Sequence, residues 1–388
     1  MGETKEVMTF KSGKFVFQYP ETDELEALLA QVKLLNNVVN GIPLLPRWAS
    51  QIDREIMYSS IAGTARIEGN PITEEGVKQI MQQEDAPGYS QKHKREVQNL
   101  VSAYKYLVEE LGETVRQHWP AQDIPLAEET IKTIHSVVTM DIPHQSNTPG
   151  QYRNGEVYVG DKAHGGVYRP PRILDDIKML MLEFISWING KELSDQPIIR
   201  AALAHYYLGR IHPFWDGNGR TARIIEGLIL QSSGIRYLSK ELSNYYYRHV
   251  DDYYNAFSES INSKSSTPFV RFVLKASIAS FLVIKDKINF RIKILVLQDY
   301  YQELQQQKKI TRRQHDLLSL LLVESSDVTF TANDLLIKHP FSLVYRDTSQ
   351  RAAQNDLKKL LDVRCLAVGE NKMYRLNPDV LNGAPIII

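Results

Sequence analysis

Apolar residues recur at helical spacing along most of the chain. The first run, ELEALLAQVKLLNNVV within 21–40, is stopped by Pro43 and Pro46. A second spans 48–65 and ends firmly at Gly69, Asn70 and Pro71. Thr73 ahead of Glu74 and Glu75 has the form of a helix start. Further helices are predicted over 91–111, 126–140, 173–187 and 198–208, then from Gly219 to about Gln231, and over 244–261 and 268–285. Two stretches depart from this pattern. Residues 1–20 read as a short extended arm with β-favouring Phe15, Val16 and Phe17, and 148–171 is rich in Gly, Tyr and Val. Within the latter, YRNGEVYVG carries an Asn-Gly hairpin signal at Asn154 and Gly155.

The segment 285–309 is charged and Gln-rich and reads as a helical connector. Beyond it, ITRRQHDLLSLLLVE reads as one helix, FTANDLLIK as the start of a second capped by Thr331, and SQRAAQNDLKKLLDV as a third started by Ser349. CLAVGENKMYRLN then reads as strand, turn, strand. Helix, helix, helix, hairpin is the order of a winged helix-turn-helix.

The 388 residues fit two or three domains, with 43% hydrophobic and 24% charged positions, as in ordinary globular chains. This excludes a disordered chain, a collagen-like repeat and a disulfide scaffold. The 46 Lys and Arg balance 46 Asp and Glu, so only a local patch could draw in nucleic acid or a membrane surface. The single cysteine, Cys365, has no internal partner, which fits a reducing cytoplasm. The N-terminus has no secretory signal pattern, and the best apolar run, Ile278 to Ile284, is far short of a membrane span.

The most informative string is HPFWDGNGRTAR, His212 to Arg223. Pro213, Gly217 and Gly219 oppose a helix until apolar periodicity resumes at Ala222, so a tight loop feeds a helix N-terminus. Such a terminus favours anions. Arg220 and Arg223, three apart, share the face that points back to it. Asn218 adds a polar contact, Asp216 is the hard oxygen donor that Mg²⁺ accepts beside a phosphate, and His212 can take a proton near neutral pH. An anion nest, two arginines, a magnesium ligand and a base are the parts of phosphoryl or nucleotidyl transfer. A structural metal on His212 and Asp216 is the bland alternative, and it lacks further His or Cys at ligand spacing. There is no P-loop motif.

This string resembles the Fic signature, HxFx(D/E)GNGRxxR, with every fixed position present. The resemblance implies a mainly α fold: a Fic-type helical core with a β-hairpin flap, then a small α+β winged-helix domain. The implied activity is transfer of AMP from ATP, with Mg²⁺, to a Tyr, Ser or Thr hydroxyl of a protein, including the enzyme itself. His212 becomes the general base, Phe214 the loop anchor and Asp216 the Mg²⁺ ligand. Gly217, Asn218 and Gly219 cradle the phosphates, and Arg220 and Arg223 contact the β and γ phosphates. Asn244 matches a residue that binds the adenosine part, and Tyr253 and Tyr254 a tyrosine pair beside the nucleotide. The stretch Gly150 to Gly160 resembles the flap, whose Val157, Tyr158, Val159 and Gly160 would dock the target by strand addition. TARIEG, Thr64 to Gly69, matches the family's inhibitory motif (S/T)xxxE(G/N). Its Glu68 would pair with Arg223 and repel the triphosphate. A homodimer is also implied by resemblance.

The expected organisation is an N-terminal helical region with the inhibitory helix (1–110), a catalytic core (111–285), a connector (286–309) and a winged-helix-like domain (310–388). Residues 308–388 hold 12 Lys and Arg against 9 Asp and Glu. Arg346, Arg351, Lys358 and Lys359 could face DNA phosphates, and such modules equally serve protein contacts. The favoured expectation is an autoinhibited, cytoplasmic protein adenylyltransferase that needs no membrane. Its rivals are a de-AMPylase using the same site and a nucleotide-sensing DNA-binding regulator.

Overall fold

The structure, a computed structural model, describes residues 4–84, 86–117, 124–235, 237–324, 328–369 and 372–383. The chain divides into two compact units, Met1–Lys285 and Asp286–Ile388.

The first unit opens with strands β1 (Thr4–Met8) and β2 (Lys14–Gln18), paired antiparallel with Glu6 opposite Val16. The predicted arm is therefore a hairpin. Alternation puts Phe15 and Phe17 inward, where Phe17 meets Trp187 at 5.4 Å and Tyr207 at 5.0 Å between ring centroids. The buried Asp176 carboxylate accepts the backbone N–H groups of Phe10, Lys11 and Ser12 and fixes the turn.

Helices α1 (Asp23–Gly41), α2 (Pro46–Ile67) and α3 (Glu74–Met81) follow. Thr22 and Thr73 cap α1 and α3 through their hydroxyls. Proline at the first turn starts α2, which ends with Glu68 as its C-terminal capping position. Then come α4 (Gln91–Gln117), α5 (Glu128–Thr139), α6 (Leu174–Ile188), α7 (Lys191–Ser194), α8 (Pro197–Ile211) and α9 (Asn218–Ser232). The single helix expected over 244–261 is two, α10 (Leu238–Arg248) and α11 (Val250–Asn262), divided at His249. Asp251 and Asp252 favour a new N-terminus there.

Two close packings set the core. Helix α9 lies along α8, and α2 along α10. The second depends on Gly63, where an added Cβ would sit 2.9 Å from the Asn244 Cα and the Ser243 carbonyl.

Helix α12 (Thr267–Gln306) runs unbroken where a helix and a connector were expected, because neither Gly nor Pro interrupts it. By length and composition one window of α12 is apolar enough to cross a membrane, and 56% of that window is buried inside the fold, as in a core helix. The second unit continues with α13 (Arg312–Glu324), β3 (Thr329–Phe330), α14 (Asp334–Ile337), α15 (Phe341–Tyr345), α16 (Gln350–Asp362), β4 (Leu366–Val368) and β5 (Tyr374–Leu376). Its sheet has the order β3-β5-β4, all antiparallel. Strand β3 is an addition to the expected order, and Ser349 caps α16 as predicted. Asp356 of α16 accepts from Arg313, Gln314 and Tyr345, tying α16 to α13 and α15.

Candidate active site

Helix α8 ends at Ile211, and the chain turns at His212 with φ 50° and ψ 59°, a left-handed conformation that is uncommon outside glycine. Gly217 makes a second left-handed step (φ 78°) and α9 begins at Asn218. A Cβ on Gly217 would lie 2.5 Å from a methyl of Thr139, so glycine is required on two counts.

The loop is braced from within and from behind. Asn218 accepts the Phe214 N–H and donates to the Phe214 carbonyl, both at 2.9 Å. Its side chain is thus buried and committed to the loop, which leaves its backbone for an anion. Its backbone remains in the first turn of α9, whose N–H groups have no intrahelical acceptor. Phe214 stacks on His135 of α5 at 3.6 Å between ring centroids. His135 Nδ1 accepts the Gly150 N–H and Nε2 donates to the Asp216 carbonyl, each at 2.9 Å. Burial lowers the His135 pKa to about 4.

His212 is half-buried. Its Nδ1 lies 3.3 Å from the Gly209 carbonyl, which can only accept, so the proton sits on Nδ1 and the Nε2 lone pair is available. The protein surroundings, then the nearby Arg153 cation, lower its pKa to about 4, so the ring is neutral at pH 7.

Asp216 accepts from the Gly217 N–H at 2.7 Å and pairs with Arg220 at 2.9 Å. Burial opposes its charge, but those two partners hold its carboxyl below the usual range. Among the described residues no group of three or more His, Cys, Asp or Glu could enclose a metal. One carboxylate at the loop suits an ion shared with a phosphate rather than a protein cage.

Behind the loop, Arg223 is almost fully buried and pairs with Glu68 of α2, Nη2 to Oε1, at 2.5 Å. Burial disfavours the guanidinium charge, and Glu68 more than restores it. Gly219 makes room for this pair, since its Cβ would fall 2.7 Å from Glu68 Oε1 and 3.2 Å from Arg223 Nη1. Arg220 Nε and Nη1 and Arg223 Nε are buried with no hydrogen-bond partner among the described residues. Orphaned cationic N–H groups beside a helix N-terminus form a cradle for an anion.

The remaining predicted residues divide. Asn244 is half-buried on α10 and donates to Glu241. Tyr254 is half-buried, donates to the Ile67 carbonyl at 3.3 Å and contacts His164 at 5.2 Å between rings. Tyr253 is different: it is only 7% exposed, with its hydroxyl 3.0 Å from His205 Nε2. It belongs to a buried set in which His205 faces Glu226 and Tyr246 donates to Glu226. Tyr253 therefore backs the cleft rather than lining it with its hydroxyl.

The hairpin signal at Asn154 and Gly155 fails. Asn154 instead accepts the Leu174 N–H, and Gly155 packs on Trp215 so tightly that a Cβ would lie 2.5 Å from the ring. Strand pairing comes later, between Val159 and Tyr168, around a turn at 161–166. Val157 and Val159 are half-buried, while Tyr158 and Gly160 are exposed.

Sequence reasoning missed His135 and Arg153. Arg153 is fully buried and, among the described residues, donates only to carbonyls, of His212 (2.7 Å), Pro171 (2.6 Å), Ile211 (3.4 Å) and Gly155. A lone His in a helix and an Arg before Asn-Gly carry no spacing signal.

Residues 125–230 match the Fic/DOC family. Over 225 residues, or 57% of this chain, the sequence is 31% identical to the protein adenylyltransferase Fic of Drosophila yakuba, and over 226 residues 30% identical to that of Drosophila melanogaster. The chain spans about 40% of the length of these curated relatives. A Fic family protein from Desulfovibrio desulfuricans shares the fold, with a TM-score of 0.57 over 92% of this chain and 97% of that one at 20% identity. Fic-1 from C. elegans matches over 68% of this chain and 73% of its own, with a TM-score of 0.53 at 25% identity. Residues 125–230 thus match a Fic domain set in a mainly helical fold, and 57% of the chain is similar in sequence to proteins named protein adenylyltransferase.

Proposed function

We propose that this protein is an autoinhibited protein adenylyltransferase that moves AMP from MgATP to a hydroxyl of a protein, itself included. One observation carries the reading: the Glu68 carboxylate occupies a cradle in which Arg220 Nε and Nη1 and Arg223 Nε have no hydrogen-bond partner among the described residues. The triphosphate would take that place. Arg220, Arg223 and the first turn of α9 would hold its phosphates, Asp216 would share its Mg²⁺, and Asn244 and Tyr254 would flank the nucleoside. His212 Nε2 takes the hydroxyl proton, the oxygen forms a bond to the α-phosphorus, and pyrophosphate leaves with the broken P–O bond. The exposed Tyr158 edge of the flap offers backbone groups to an extended target.

The test is intact mass after incubation with ATP and Mg²⁺. Glu68→Gly gains AMP and the double variant with His212→Ala does not; no gain in Glu68→Gly counts against the reading. The reverse reaction, with Glu68 ordering a water to hydrolyse AMP from a modified protein, is separated by a time course on a modified target.

A second reading concerns the second unit, whose element order supports a winged helix. Arg346, Arg351, Lys358 and Lys359 are exposed, and none pairs with a carboxylate among the described residues. Gln354 and Asn355 lie exposed on the same helix. Basic and amide groups together suit DNA phosphates and base edges. This reading predicts salt-sensitive DNA binding that persists in His212→Ala, and no gel shift at low salt removes it.

A further inference from the structure

We propose that Arg153 is a positioning residue that clamps both legs of the flap to the carbonyl of His212, so that one side chain registers the docked target with the base. The inference rests on the transferase reading above.

The geometry supports it at each point. Gly155 and Pro171 bracket the flap, and the Val159–Tyr168 pairing lies between them. Arg153 donates to both of their carbonyls, one through Nη1 and the other through Nη2, while Nε donates to His212. Its own backbone N–H donates to the Pro213 carbonyl at 2.9 Å. The residue therefore grips the base-bearing loop twice and each flap leg once.

Its environment is unusual for a merely structural link. The side chain is fully buried, and all its hydrogen bonds among the described residues go to main-chain carbonyls, with no carboxylate. Burying an uncompensated cation is costly. Among side chains, only the planar guanidinium fork reaches several carbonyls in fixed directions. His212, in turn, holds a backbone conformation that needs outside support, with its N–H donating to Leu208 and its carbonyl held by Arg153. A peptide laid along the flap then presents its hydroxyl to Nε2 at a distance set by this clamp.

The experiment compares Arg153→Met and Arg153→Lys in the full-length Glu68→Gly protein, following self-modification across a range of ATP concentrations. Lysine keeps the charge but has a single ammonium, which cannot span the fork. The maximal rate is expected to fall roughly 100-fold with Met, the order of loss a displacement near 1 Å produces, and less with Lys. The ATP concentration for half-maximal rate, and ATP affinity by calorimetry, stay within about twofold. A maximal rate unchanged in a folded variant, or weakened ATP binding at unchanged maximal rate, overturns the proposal. Hydrogen exchange gives a readout that needs no turnover. In Arg153→Met, segments 150–171 and 209–217 lose protection together while α9 keeps its own. Unchanged protection of either segment overturns the clamp even if Glu68→Gly proves unable to transfer AMP, a result that would defeat the transferase reading by itself.

Discussion

Glu68 and Arg223 stand 155 residues apart in the chain and 2.5 Å apart in space. Arg223 is buried, whereas the Glu68 side chain keeps 35% of its surface. Solvent screens the pair from one side, so on the proposed reading its competition with a phosphate would be worth about 1–2 kcal/mol, or five- to thirty-fold in ATP affinity. Glu68→Gly should tighten ATP by that factor in calorimetry and raise AMP incorporation at least as much. Glu68→Gln, which keeps the volume and loses the charge, should fall between the two.

Gly219→Ala should separate loss of restraint from gain of activity. The new methyl would displace Glu68, yet it also crowds the Arg223 guanidinium where phosphate would sit. The expected outcome is an ion pair broken without activation, with transfer reduced about tenfold or more relative to Glu68→Gly, measured by intact mass.

His135 makes stability sensitive to acid. Its pKa is lowered from an ordinary 6.5 to about 4 by burial, so below pH 6.5 the unfolded chain binds a proton that the folded chain refuses. Its contribution is fully present above pH 6.5 and is lost as pH falls towards 4, by about 3 kcal/mol in all. Urea unfolding at pH 7 and pH 4.5 should show a smaller difference for His135→Gln than for the parent. An equal difference would remove His135 from the account.

The two adjacent tyrosines should behave unlike each other. Tyr253→Phe deletes the partner of His205 Nε2 in a closed interior and should cost about 1–3 kcal/mol in denaturant unfolding. Tyr254→Phe, half-exposed, should cost under about 0.5 kcal/mol while altering the nucleotide concentration dependence of transfer.

The candidate site loop was legible because its parts are contiguous, from His212 to Arg223, and glycine, proline and the return of apolar periodicity mark its turn and its helix. Glu68 was legible only as a motif, since no local rule says that the end of α2 meets α9. Other features were set by tertiary contacts that outweigh local preference. Asn154-Gly155 has hairpin chemistry beside a β-favouring run, yet Trp215, Leu174 and Arg153 engage it and the pairing moves to Val159 and Tyr168. The break at His249 has no glycine or proline to announce it. Strand β3, two residues long, is too short to show alternation.

Glu68 terminates a helix of 22 residues rather than hanging from a loop. A rod of that size is about 33 Å long, so a tilt of only about 5° pivoting at its far end carries the acid about 3 Å. That travel would break the contact with Arg223 while leaving every side-chain rotamer as it was. The packing of Gly63 on Asn244 means the same tilt also levers the wall that would flank the nucleoside on the transferase reading. Unlocking the phosphates and reshaping the room for the base would then be a single movement, governed by whatever grips the start of the rod.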